Sequence, residues 1–223
     1  MTRRRSSYRS LRSLQRDVRV CRACVEAGFP LESLPVVHGQ EGQRAYMLGQ
    51  APGWVEGEER RPWRGRAGRT LRRWLDMDED EFYGAFYCAS VTRCYPGRSP
   101  GGRGDRTPTP REQELCAFWR EWELRLLRPR VIVTVGGLAA RRLLALARLG
   151  ECVGRRFTYG DAATIPLPHP SGASGWLNDP ANRALVVEAA ALVREQLDRL
   201  GATRAGNADP SVPAIRHGSG TDT

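Results

Sequence analysis

The chain contains no lysine, so every one of its 35 basic residues is an arginine. Against 25 acidic residues, this leaves a formal net charge of +10. The arginine guanidinium is planar and makes two-point contacts with phosphate, whereas the lysine ammonium is a point charge. A basic balance made of arginine therefore favours polyanionic partners such as nucleic acid.

Long apolar stretches are also lacking. No run approaches the roughly 20 apolar residues of a membrane-spanning helix, and no secretory hydrophobic region stands near the start. We therefore expect no membrane partner. Nothing indicates an oxidising compartment, so the six cysteines favour metal or cluster binding over disulfides. The 223 residues suit one sizeable α/β domain.

The composition divides the chain into three parts. Residues 1–20 form a basic N-terminal arm with seven arginines and one aspartate. It is interpreted as a DNA-contacting arm, a solvated charged helix or a transit-like leader, and its helical pattern favours a place on or near the fold. Residues 21–200 form the folded domain. Residues 201–223 turn to Gly, Ser, Thr, Pro and Asp, which predicts a disordered tail.

Short apolar runs alternate with amphipathic segments along the domain. The apolar runs predict strands at 45–49, 86–92, 130–137 and 163–170. The amphipathic segments predict helices at 67–76, 110–127, 138–148 and 180–200. Thr109, Pro110 and Glu112 mark one helix start as a capping box with a first-turn proline. The alternation predicts an α/β fold, a three-layer α/β/α sandwich around a central, mostly parallel four-stranded sheet.

Three informative segments follow predicted strands, at 49–68, 92–109 and 168–178. In a parallel sheet, ligands collect beyond the carboxyl ends of the strands, so we expect these segments to form one site. The Gly-Pro-rich turn 49–53 lets the backbone approach a ligand closely. An ordinary strand-to-helix turn is the alternative interpretation of that stretch.

The cysteines form a second pattern. Cys21-x-x-Cys24 is a tight pair, and Cys94 and Cys116 are a candidate second pair. Four thiolates converging from separate elements would suit [4Fe–4S] or Zn²⁺, with buried free thiols as the alternative. The remaining two, Cys88 and Cys152, are typical of small core residues.

The ordered motifs resemble the uracil-DNA glycosylase superfamily, and within it the iron–sulfur group called family 4. That family's G-E-x-P-G-x-x-E-D-x-x-G-x-P-F-x-G-x-A-G motif is similar to residues 49–68, GQAPGWVEGEERRPWRGRAG, and its H-P-S motif to residues 169–171. The intervening VTRCYPG, RTPTPREQELC and LRPRVIVTVGG also resemble family segments. The resemblance covers residues 20–198 and implies the family's fold.

The resemblance implies a monofunctional DNA repair glycosylase, which flips uracil or a related deaminated base out of DNA and hydrolyses its N-glycosidic bond. His169 matches the histidine that donates a hydrogen bond to uracil O2 and stabilises the departing base anion. Trp63 stands where the family usually has phenylalanine and would stack on the base. A satisfied structural imidazole and a core tryptophan are the alternatives. The turn around the base would comprise Gly49, Gln50, Ala51, Pro52 and Gly53.

Two polar positions that are expected to meet the substrate also depart from the family pattern. Gln50 replaces the usual glutamate, and an amide cannot act as a general base, so we expect it to hydrogen-bond the base or water. Ser90 aligns with the asparagine that reads the uracil edge, and a hydroxyl lacks the paired donor and acceptor of an amide. Uracil or another base such as hypoxanthine is therefore left open as substrate. Glu56 matches a family acid and is expected to orient the attacking water or to brace the loop.

The resemblance also implies a structural [4Fe–4S] cluster, with Zn²⁺ as the alternative, held by Cys21, Cys24, Cys94 and Cys116. The loop 97–106 is interpreted as a DNA-backbone contact through Arg98, Arg103 and Arg106, or alternatively as a solvated disordered loop. Ser171 is expected to grip phosphate or to form a local turn hydrogen bond.

Two classes of function remain open at this point. The first is the glycosylase. The second is a catalytically weak or inactive DNA-binding protein of the same fold. This alternative is based on Gln50 and Ser90, which differ from the usual family residues. In both, the partner is single- or double-stranded DNA, and we expect a monomer in the bacterial cytoplasm, associated with the nucleoid.

Overall fold

The computed structural model describes residues 2, 4–101, 104–145, 148–171 and 175–202. The helices are α1 (Leu11–Arg19), α2 (Ala23–Glu26), α3 (Trp54–Glu59), α4 (Arg66–Leu75), α5 (Glu79–Ala85), α6 (Pro110–Leu127), α7 (Gly137–Leu144) and α8 (Pro180–Arg199). The strands are β1 (Ala45–Gly49), β2 (Phe86–Ser90), β3 (Val131–Val135), β4 (Phe157–Tyr159) and β5 (Ala162–Leu167). No helix within this described part is both long and apolar enough to cross a membrane. Most of the predicted tail lies outside the described residues.

One sheet organises the domain, with the strand order β2-β1-β3-β5-β4. The first four of these are parallel, as the sequence predicts. The α/β fold is confirmed, but the predicted count of four strands is wrong because β4 adds a fifth, antiparallel to β5. β4 has only three residues, too few to produce a recognisable alternation, and it turns into β5 at Gly160, where φ is 55°.

Helices cover both faces of the sheet, which explains why the strands are uniformly apolar. Every residue of β1, β2 and β3 is buried. Because successive side chains of a strand point to opposite faces, Met47 packs on one side with residues of α4, α5 and α8. Tyr46 and Leu48 pack on the other side with residues of α1, α6 and α7. The result is a three-layer α/β/α sandwich.

Helix α1 lies within the segment that the sequence analysis separates as a basic arm. Its Leu14 and Val18 are fully buried and belong to the same core as α6. Asp17 accepts a hydrogen bond from Tyr8 and pairs with Arg5 at 2.7 Å. Much of this segment is therefore packed onto the domain, while its arginines from residue 9 onward are exposed on the outer side.

Candidate active site

The carboxyl ends of the strands surround a cavity of about 670 Å³. Segments after β1, β2 and β5 meet there, as the topology predicts. The predicted residues that line it are Gln50, Ala51, Pro52, Gly53, Glu56, Trp63, Ser90, Arg106, His169 and Ser171. Gly49 lies against the Trp63 ring, since a Cβ at position 49 would come within 2.9 Å of Trp63 Cζ2.

Trp63 forms a fixed wall of this cavity. Its side chain is only 8% exposed, and its backbone is left-handed with φ of 62°, which is rare for an aromatic residue. Arg72 donates to the Trp63 carbonyl at 3.0 Å and holds that conformation. Gly68 permits it, because a Cβ there would lie 1.7 Å from the same carbonyl oxygen. The turn is therefore built around one orientation of the indole.

His169 lies beside this wall and lines the same cavity, with its ring centroid 6.4 Å from that of Trp63. Its Nδ1 accepts a hydrogen bond from the Ser171 backbone N–H at 3.3 Å and contacts Ser171 Oγ at 2.8 Å. The ring proton consequently belongs on Nε2. Burial lowers the pKa of His169, against the opposing charges of Glu56 and Asp105. A neutral imidazole with Nε2–H as donor follows from these contacts.

Gln50 and Ser90, which differ from the usual family residues, lie at the ends of β1 and β2. Ser90 is the last residue of β2 and is 9% exposed, with its Oγ 3.5 Å from the place where a Cβ on Gly49 would be. The Gln50 carbonyl accepts from the Thr92 N–H at 3.2 Å, which fixes its backbone beside β2. Both residues line the cavity, so a bound ligand would meet a hydroxyl and an amide there.

Glu56 braces the loop. Its Oε1 accepts from the Gly65 N–H at 2.8 Å, at the start of α4. A Cβ at Gly53 would lie 2.7 Å from Oε2, so the carboxylate is packed closely between the turn 49–53 and α4. Of the two roles predicted for Glu56, the bracing role has a direct contact in the structure.

Asp105 is a cavity residue that sequence reasoning missed. Its Oδ1 accepts from the Tyr95 hydroxyl at 3.1 Å, and its Oδ2 is 3.3 Å from the Cβ position at Gly53. A single acidic residue within the arginine- and glycine-rich stretch GRGDR was the available signal. The exposed Arg66 also lines this cavity and was not predicted.

The three predicted DNA-contacting arginines have different surroundings. Arg106 forms a two-point ion pair with Glu112 at 2.7 and 2.8 Å, and its Nε donates to the Pro96 carbonyl at 3.0 Å. Three of its five N–H groups thus close the loop internally. Arg98 is exposed. Arg103 lies outside the described residues.

A second, smaller cavity brings the four predicted cysteines together. Its lining includes Cys21, Cys24, Cys94 and Cys116. All are free thiols, and Cys21 Sγ accepts from the Trp119 indole at 3.3 Å. Burial, followed by neighbouring Cys116 and Cys21, raises the pKa of Cys24 to about 12. Within the described ranges, no three Cys, His, Asp or Glu side chains are already arranged to hold a metal ion.

This donor set fits a metal–sulfur group. Cys24, Cys94 and Cys116 are buried and Cys21 is partly exposed. Four neighbouring thiols of this kind can lose their protons together only if positive charge compensates them, and a bound metal centre supplies that charge. The two other cysteines, Cys88 and Cys152, lie in the core on the opposite side, both 1% exposed, as the sequence predicts.

A buried ion pair connects the two cavities. Arg93 and Glu123 have side chains 2% and 0% exposed, and the guanidinium also donates to the Ser90 carbonyl. Tyr46 and Tyr87 donate to Glu123 at 2.7 and 2.9 Å. Burial and the Glu123 charge raise the pKa of both phenols well above 10, so they remain donors. Arg93, which precedes Cys94 in the chain, therefore links the Ser90 carbonyl at the end of β2 to Glu123 of α6.

Comparison with known proteins places this arrangement in a family. A sequence model described as "Uracil DNA glycosylase superfamily" matches residues 36–192. The chain is 31% identical to the Type-4 uracil-DNA glycosylase of Archaeoglobus fulgidus, over 61% of this chain and 65% of the relative. It is 31% identical to that of Thermotoga maritima, over 55% and 59%. It is 23% identical to that of Sulfurisphaera tokodaii, over 83% and 84%.

The matched regions thus span somewhat less than two thirds of the first two relatives and most of the third. The family match covers the sheet, the turn 49–53 and the segment with His169. The chain belongs to the uracil DNA glycosylase superfamily.

Proposed function

We propose that this chain is a DNA glycosylase that takes an everted uracil or related deaminated base into the 670 Å³ cavity and hydrolyses its N-glycosidic bond. One observation carries the proposal. A fixed, flat indole and a neutral imidazole donor face the same cavity, with their ring centroids 6.4 Å apart. The relatives' printed names, Type-4 uracil-DNA glycosylase, support the same reaction class.

Different residues of the cavity would stack on the base, stabilise its charge and contact its edge. Stacking on Trp63 replaces the stacking energy that the base loses when it leaves the DNA duplex. As the bond from C1′ to the base breaks, negative charge develops on the base while the sugar becomes oxocarbenium-like. The Nε2–H of His169 stabilises that charge more in the transition state than in the ground state. Ser90 and Gln50 present the groups that meet the base edge.

The surroundings suit DNA. We propose that the exposed Arg66 and Arg98, with Ser171, contact phosphates of a damaged strand beside the cavity, and that the protein acts as a monomer on nucleoid DNA. The net charge of +10 supports attraction to such a polyanion. Arg106 contributes mainly by fixing the loop conformation, because its guanidinium already forms a two-point ion pair with Glu112.

A substrate panel tests the activity. We expect purified protein to release base from at least one of several oligonucleotides that contain uracil or hypoxanthine, in single- or double-stranded form. Alkali treatment would then cleave the strand at the abasic product. Protein that cleaves none of them contradicts the proposal.

The second candidate is a DNA-binding protein that has lost hydrolysis. Ser90 and Gln50 favour it, since neither supplies what the family usually has at those positions. Salt-dependent binding to the same oligonucleotides, with no abasic product from any of them, would establish this alternative in place of the first.

We further propose that Cys21, Cys24, Cys94 and Cys116 hold a [4Fe–4S] cluster. The convergence of four free thiols, three of them buried, on one cavity supports this assignment. The cluster would cross-link residues 21–24, the segment that follows β2 and helix α6, so its role is structural. It would thereby hold both ends of the loop 95–109, which lines the active-site cavity.

Spectroscopy tests the cluster. We expect anaerobically purified protein to be brown, with broad visible absorption and about four irons per chain. Cys94→Ser should lose most of this iron, because it removes one of four ligands. Cys88→Ser, a matched change of a buried cysteine in the other core, should retain it. A colourless protein containing one zinc per chain would support the alternative metal and contradict the cluster.

A further inference from the structure

We propose that Asp105 is the catalytic carboxylate that holds the attacking water and accepts its proton. The inference rests on the proposed glycosylase function and assigns a residue that the family motifs do not point to in this chain. Its starting point is a chemical gap. Gln50, at the usual glutamate position, has an amide that cannot accept a proton from water at neutral pH.

The position of Asp105 suits this role. The residue lines the same cavity as Trp63 and His169. Its Oδ2 comes within 3.3 Å of the Cβ position at Gly53, so the carboxylate borders the turn that would enclose the base. Its charge also acts on the His169 imidazole, where it raises the pKa against the effect of burial. A carboxylate placed here would be near the sugar of a base that stacks on Trp63 and accepts a hydrogen bond from His169.

The carboxylate is held in place from both sides. The Tyr95 hydroxyl donates to Oδ1 at 3.1 Å, and the Asp105 backbone forms a β-bridge with Arg98. The Arg106 N–H donates to the Gly97 carbonyl at 2.8 Å, and the Arg106 side chain is fixed by Glu112. Oδ1 is thus oriented by a phenol, while Oδ2 lies on the side of the turn 49–53.

Glu56 is less suited to proton transfer. Its Oε1 already accepts from the Gly65 N–H, and Gly53 and Gly65 pack closely around the carboxylate. Asp105 is exposed as a residue, so water reaches it directly. The two acids therefore have separate roles, with Glu56 bracing the loop and Asp105 acting on water.

The proposed step balances without any other reactant. The bond from C1′ to the base nitrogen breaks, and its electron pair leaves with the base as an anion that His169 stabilises. The oxygen of one water molecule forms a new bond to C1′. The proton released by that water passes to Asp105, and protonation of the free base restores the carboxylate. The products are the free base and an abasic sugar.

The test compares Asp105→Asn with wild type in single-turnover base release, on the substrate that the panel identifies. We expect D105N to lower the rate by about 10²-fold or more. Its affinity for the same oligonucleotide should be unchanged or slightly tighter, because a negative charge is removed. Asp161→Asn, the same change in the turn between β4 and β5, should keep the wild-type rate. Tyr95→Phe should lower the rate less than D105N.

Three results would overturn the assignment. One is a D105N rate within about twofold of wild type. Another is a rate loss that a weaker affinity accounts for in full. If D105N is also less stable, added formate should restore part of the rate of Asp105→Ala, and absence of rescue in a folded protein would be the third. Failure of the glycosylase proposal is distinguishable, because wild type and D161N would then be inactive as well.

Discussion

Replacing His169 with alanine should lower the single-turnover rate of base release by about 10²- to 10³-fold. The reason is the loss of the Nε2–H donor, which the Ser171 N–H fixes by occupying Nδ1. The donor acts on charge that exists only once the glycosidic bond has begun to break. Affinity for the substrate oligonucleotide, measured at fixed salt, should therefore change far less than the rate.

His38→Ala is the matched control for this variant. His38 contacts the Tyr83 ring, its carbonyl accepts from the Cys88 N–H, and it does not line the cavity of Trp63 and His169. We expect H38A to keep the wild-type rate, while His169→Asn, which retains a shorter donor, should lose less activity than H169A. Full activity in H169A would remove the anion-stabilising role from this residue.

Replacing Glu123 with glutamine should lower the free energy of unfolding by about 3–5 kcal/mol. The substitution keeps the shape of the side chain but leaves the Arg93 guanidinium buried without its counter-charge. It also disturbs the hydrogen bonds from Tyr46 and Tyr87. Urea denaturation, followed by circular dichroism at neutral pH, measures the change.

Helix α6 supplies its own control. Glu114→Gln removes the same charge from a pair with Arg111 whose side chains are 66% and 58% exposed. That change should cost less than about 1 kcal/mol. Arg93→Met with Glu123→Leu, combined with Tyr46→Phe and Tyr87→Phe, should recover much of the stability, because it leaves neither an unpaired charge nor a phenol without its acceptor in the core. Equal effects of E123Q and E114Q would contradict the account of the buried pair.

Elements with strong local signals were predictable from the sequence. Helix α6 begins where expected, because Thr109 and Glu112 form both hydrogen bonds of a capping box. Strand β1 has the predicted bounds, β2 and β3 lie within theirs, and β5 begins one residue before its predicted start, because each is an apolar run. Helices α3 and α5 were not predicted. Both are short and lack a long apolar stripe. Helix α5 nevertheless begins with a capping box formed by Asp78 and Glu81, a local signal that the sequence analysis missed.

Site residues that belong to sequence motifs could be predicted, whereas those whose role depends on a tertiary contact could not. Trp63 and His169 share a cavity because parallel strands end at one edge. The arginine- and glycine-rich sequence around Arg106 is typical of a phosphate-binding loop. Only the tertiary structure shows that the Arg106 guanidinium is already paired with Glu112. Asp105 was missed because its relation to Tyr95 and the turn 49–53 is set by the folding of the loop, which leaves no periodic trace in sequence.

Under the proposed glycosylase function, the rigid backbone at Trp63 determines where the cavity could change to take a different base. With Gly49 against the ring and Gly68 against the carbonyl, the indole has no room to retreat. A wider base must then be accommodated on the opposite rim, where the loop with Asp105 is more exposed. Directed evolution towards new lesions should accordingly accumulate its substitutions in residues 96–107 and leave the tryptophan side untouched.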